Sequence, residues 1–128
     1  MRSSMKYWTV ISRLTMKMHE KFRFAEKGLK ILLKDHSVRL QLCISLAAMA
    51  VSFLFGFEPY EKAVVFVFCV MVVTAEAFNS VIEYMAEQID PSKDQAIGRI
   101  KDMTAGVVLI TSIGALIAGV AILLKHII

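Results

Sequence analysis

Three long apolar stretches constrain this chain more than any other feature of its sequence. Residues 40–57 are broken only by Gln41, two serines and Gly56, near the lower end of the roughly 17–25 residues needed to cross a bilayer as a helix. A second stretch opens with the apolar run 63–75 and continues through Glu76, Asn79 and Glu83 to about residue 86. The third, 103–124, is closed by Lys125 and His126. Expected spans are therefore about 40–57, 63–86 and 103–124, in an all-α membrane protein.

Composition agrees. Over 128 residues, 57% are apolar and 20% charged, and the charges are kept out of the apolar runs. A mean hydropathy of +0.62 is too high for a soluble domain of this length. Ten of the 15 basic residues lie at or before Arg39, so the net charge of +4 belongs to one end. It suits a cytoplasmic anchor on anionic lipid better than nucleic-acid binding. Cys43 and Cys69 stand alone in apolar runs without metal-type spacing and read as packing residues. No secretory signal is evident.

Residues 1–38 form an N-terminal cytoplasmic or interfacial region, and 39–128 the transmembrane domain. Over residues 21–34, Phe22, Ala25, Leu29, Leu32 and Leu33 share one helical face while Lys27, Lys30 and Lys34 project elsewhere, as in an amphipathic surface helix; a basic linker with accidental periodicity is the alternative. Residues 1–20 receive no assigned structure, and Tyr7 and Trp8 read as interfacial aromatics. Two polar connections follow: one around Pro59, which discourages helix continuation, and one over Asp90, Pro91, Ser92, Lys93 and Asp94. Basic residues concentrate before the first span and in 87–102, which puts the N-terminus inside and the C-terminus outside the membrane. Arg39 reads as a snorkelling anchor, and His126 as inert.

The second span carries the chemistry. Glu76, Asn79, Glu83 and Glu87 follow one another at i, i+3, i+7 and i+11, so a helix sets them along one side. Ionisable groups inside a span cost several kcal/mol and usually face a protein interior or a watery cavity. Arg99, Lys101 and Asp102 come where the third span begins. Carboxylates and an amide supply the hard oxygens that Mg²⁺ prefers, and a neighbouring Lys can neutralise phosphate, which is most of what phosphoryl transfer requires. Neither G-x-x-x-x-G-K-[ST] nor G-x-G-x-x-G occurs, so an ATP site would be of neither the P-loop nor the protein-kinase type. On these grounds alone a small proton-coupled cation or multidrug transporter fits equally well.

The segment Ala75-Glu76-Ala77-Phe78-Asn79-Ser80-Val81-Ile82-Glu83, followed after seventeen residues by Lys101-Asp102, resembles the signature of the small prokaryotic diacylglycerol kinase and undecaprenol kinase family, A-E-x-x-N-[ST]-x-I-E…K-D. The resemblance extends over about 22–124, through Phe24-Ala25-Glu26-Lys27-Gly28-Leu29, Asp35-His36-Ser37-Val38-Arg39-Leu40 and Met103-Thr104-Ala105-Gly106-Val107-Val108-Leu109. It implies a homotrimer with sites between protomers, each with a surface helix and three spans. It also implies transfer of the ATP γ-phosphate to a lipid hydroxyl with Mg²⁺.

Laid onto this chain, the resemblance makes Glu76 the general base, assisted by Ser80 and Arg99 in lipid binding. Glu83 becomes a metal ligand, and Asn79, Glu83, Glu87, Lys101 and Asp102 the nucleotide site. The second metal ligand falls on Asp35 when counted from Glu76 and on His36 when counted from Gly28. Where the family usually has Glu, Asp35 is one methylene shorter, and Ser37 and Gln41 replace a frequent Asn and His. Phe24-Ala25-x-x-Gly28-Leu29 and Thr104-Ala105-Gly106 look more like the undecaprenol branch, with diacylglycerol as the second acceptor.

Overall fold

A computed structural model describes the backbone of residues 2–89 and 95–128 and the side chains of 6–13, 17–89 and 95–128. The polar connection over 90–94 and the side chain of Leu14 lie outside the described residues. Among the described residues four helices follow one another: α1 (Arg2–Lys34), α2 (His36–Leu54), α3 (Pro59–Ile89) and α4 (Gln95–Ile127). Helix is the expected answer to hydrocarbon, because it satisfies every backbone N–H and C=O within the segment. α2, α3 and α4 are all long and apolar enough to cross a membrane, at 19, 31 and 33 residues.

The chain divides into two compact units, one ending at Lys34 and the other running Asp35–Ile128. In the first, helix extends to Arg2, so residues 2–20 join the segment 21–34 as one element. Its Lys30–Glu26 pair, at 3.8 Å and largely in solvent, adds little.

In the second unit α3 is the middle helix, with α2 and α4 packed on it. Its buried residues, Glu61, Val65, Val72, Ala75, Asn79 and Ala86, form the seam. α4 buries no residue fully within the chain. Leu109, Ile110, Leu116 and Ile117 are all more than half exposed, as side chains are that meet lipid or a neighbouring subunit. Between the three helices lies an apolar cavity of about 360 Å³, walled by Ile44, Ala48, Phe68, Val72 and Leu116. Cys69 spans α3 to α2, its thiol donating to the Ser45 carbonyl at 3.8 Å.

The helix ends depart from the hydropathy boundaries for identifiable reasons. α2 stops at Leu54, short of residue 57, because Gly56 takes φ +68°. The Phe57 N–H then donates to Ser52 O at 3.0 Å and Gly56 N–H to Phe53 O at 3.3 Å, the paired bonds of a Schellman motif. Pro59, expected to separate two spans, begins α3, where its missing N–H costs nothing. Glu61 completes that start by accepting the Glu58 N–H at 2.9 Å, the reaching-back half of a capping box. Helix therefore overruns the expected second and third spans at both ends.

Candidate functional site

Asp35 stands at the break between α1 and α2. Its backbone is extended (φ −70°, ψ 131°), and its Oδ2 accepts the Val38 N–H at 3.2 Å, which makes it the N-cap of α2. The same oxygen accepts the Ser80 hydroxyl at 2.9 Å. The cap is thereby tied to the middle of α3. His36 begins α2 and is exposed, so it is Asp35 that meets the acidic stripe.

Along α3 the stripe is graded in exposure. Asn79 is buried at 9% exposure. Glu76, one turn before it, and Ser80 are half-buried, whereas Glu83 and Glu87 are exposed. Glu76 hydrogen-bonds with Asn79 and lies in the fields of two like charges, Glu83 and Asp35. Asn79 uses both ends of its amide: Nδ2 donates to Glu83 Oε1 at 3.3 Å, and Oδ1 accepts from Thr104 Oγ1 at 2.8 Å. Thr104 also approaches the carbonyl of Lys101, at 2.9 Å, on its own helix. Lys101 itself is half-buried, and Arg99 and Asp102 are exposed on α4.

The structure thus brings Asp35, Glu76, Asn79, Ser80 and Glu83 together and connects them to α4 beside Lys101. Among the described residues, the hydrogen bonds of this group do not reach Glu87, Arg99 or Asp102. In the sequence Thr104 stands only as part of a matching segment. Its one signal there is a hydroxyl one turn beyond Lys101 in an otherwise apolar run.

Among the described residues no three of His, Cys, Asp and Glu converge closely enough to enclose a metal. The donor set nevertheless suits one kind of ion. Mg²⁺ usually takes one or two carboxylates and fills its octahedron with phosphate oxygens and water, and Glu83, Asp35 and the Asn79 amide are hard oxygen donors of that kind.

The sequence profile of the prokaryotic diacylglycerol kinase family matches residues 23–123. No curated protein matches the chain.

Proposed function

Because the chain belongs to the prokaryotic diacylglycerol kinase family, whose members are membrane lipid kinases, we propose that it transfers the γ-phosphate of ATP to the hydroxyl of a membrane lipid alcohol at the cytoplasmic interface. The preferred acceptor is undecaprenol, with diacylglycerol second. The observation that carries this reading is the chain of hydrogen bonds from Glu83 through Asn79 to Thr104, with Glu76 one turn away and Lys101 on the facing helix.

Glu76 acts as general base. Its half-buried carboxylate takes the proton as the lipid oxygen forms its bond to the γ-phosphorus and the bond to the bridging oxygen of ADP breaks. Asn79 orients this carboxylate and Glu83 together, while Ser80 holds Asp35 against α3. Lys101 and Asp102 position the nucleotide, with Glu87 beside Glu83, and Arg99 attends the lipid. Glu83 and the free oxygen side of Asp35 would hold Mg²⁺, which when bound with ATP neutralises phosphate charge.

The remaining assembly follows from the same reading. Three copies associate with sites between protomers, a reading supported by α4, which leaves its apolar surface uncovered within one chain. Residues 21–34 of α1 lie on the cytoplasmic headgroups with lysines toward anionic lipid, the N-terminus inside and the C-terminus outside.

Purified protein in detergent micelles, given γ-labelled ATP, Mg²⁺ and either undecaprenol or diacylglycerol, tests the proposal. Label should enter the lipid, faster with undecaprenol. Failure with both acceptors would overturn the kinase reading.

A further inference from the structure

We propose that Thr104 is a positioning residue whose hydroxyl decides which end of the Asn79 amide faces Glu83, and that the amide turns over when a divalent cation occupies Glu83. The inference rests on the proposed assignment of Glu83 to the cation, and goes beyond it in giving a role to a residue outside the motif.

One proton stands between two acceptors. Thr104 Oγ1 lies 2.8 Å from Asn79 Oδ1 and 2.9 Å from the Lys101 carbonyl, yet a hydroxyl has a single hydrogen to donate and lone pairs with which to accept. Two arrangements therefore satisfy it. In the first, seen here, the proton goes to Asn79 Oδ1, and Nδ2 is left to donate to Glu83 at 3.3 Å. In the second, the proton goes to the Lys101 carbonyl, the hydroxyl accepts from Nδ2, Oδ1 is turned to Glu83, and the bond from the amide to Glu76 is released. The two differ by a half-turn of a terminal amide torsion, which is broad and roughly two-fold.

Electrostatics chooses between them. Beside a bare carboxylate the amide must present N–H, since an oxygen there would set two negative atoms face to face. Beside a carboxylate that holds a cation the preference reverses, because an amide oxygen is a hard ligand and an N–H is repelled. Asn79 is buried, so water cannot easily supply whichever partner is missing. A hydroxyl serves both states. Thr111 shows the ordinary alternative on the same helix: among the described residues its hydroxyl bonds only back to Val107 O and Val108 O, at 3.2 and 2.9 Å. Thr104 makes that back-bond and also reaches across to α3.

Asn79 is the sole asparagine in the sequence, so protein carrying ¹⁵N only in asparagine side chains gives one NH₂ pair. Titrating the intact protein in micelles with Mg²⁺ alone should move that pair in the wild type. In Thr104→Val, which keeps the shape and loses the hydroxyl, the half-maximal Mg²⁺ concentration should rise by about tenfold, within the range for losing an outer-shell partner. Thr104→Ser should follow the wild type, and Glu83→Ala should abolish the response. A wild-type pair that Mg²⁺ leaves unmoved, or a Thr104→Val titration that overlays the wild type, would overturn the inference. Lipid phosphorylation measured on the same preparations separates the two ideas: wild-type activity with an unmoved amide sinks this inference and leaves the kinase reading standing.

Discussion

Nε2 of His126 lies 2.7 Å from Oε1 of Glu61, joining residues 65 positions apart. The contact fastens the last turn of α4 to the first turn of α3, at the end of the bundle remote from Glu83. Glu61 is almost fully buried, at 2% exposure. It also accepts the Glu58 N–H and pairs with Lys125 at 3.5 Å, while the His126 ring stacks on Phe57 with centroids 4.8 Å apart. His126, expected to be inert, is thus part of a structural clasp.

The clasp predicts an order of stabilities. Glu61→Ala removes the acceptor for three partners and leaves the Glu58 N–H without its cap. Glu61→Gln keeps an oxygen for that N–H and for the ring but loses the charge. Lys125 is half exposed, and its pair should contribute least. Thermal unfolding in micelles should therefore fall in midpoint most for Glu61→Ala, less for Glu61→Gln and least for Lys125→Ala. A Lys125→Ala midpoint as low as that of Glu61→Ala would mean that the solvent-facing ion pair, and not the buried acceptor, holds the helices together.

Gly56 predicts a backbone effect independent of any contact. At φ +68° nothing lies within 4 Å of where a Cβ would stand, so the cost of Gly56→Ala is conformational and should be about 1 kcal/mol. Gly56→Asn should cost less, because Asn tolerates the left-handed region. Equal unfolding midpoints for the alanine variant and the wild type would contradict the Schellman ending assigned to α2.

How far the sequence reaches can be seen at these same residues. The three spans are legible because their signal is compositional and local, and the register of Glu76, Asn79 and Glu83 is legible because helical spacing fixes it. The end of α2 is not, since hydropathy runs on through Phe57 while the chain turns at Gly56. Glu61 with His126 and Asn79 with Thr104 are meetings between helices, set by how α4 lies along α3, and spacing along one helix carries no such information. Asp35 falls between: a carboxylate before a helix is a recognisable N-cap, but only the packed chain shows it reaching Ser80. That contact sets Asp35 beside Ser80, while His36 is exposed.

Asp35 can be examined by separating its cap from its charge. Asp35→Ala removes the bond to Val38 and should destabilise by about 1 kcal/mol, the usual worth of an N-cap. Asp35→Asn preserves an acceptor for both Val38 and Ser80, so its unfolding midpoint should match the wild type. If the carboxylate also takes part in holding the cation, the asparagine variant should nevertheless need more Mg²⁺ for lipid phosphorylation. An unchanged Mg²⁺ requirement would confine Asp35 to its structural work.

Glu76 offers the sharpest separation of binding from chemistry. Replacing it by Gln conserves size and leaves an amide oxygen toward Asn79, but an amide cannot take the lipid proton. Turnover should fall by at least about 10²-fold, the lower range for loss of a general base, while nucleotide affinity, measured by equilibrium binding of labelled ATP with Mg²⁺, should change little. Removal of one member of a like-charged set can even tighten ATP binding slightly, because Glu83 and Asp35 remain to meet the cation while one anion fewer faces the phosphates. Loss of binding in parallel with turnover would instead move Glu76 from the proton to the nucleotide, and retained turnover would pass the role of base to another group.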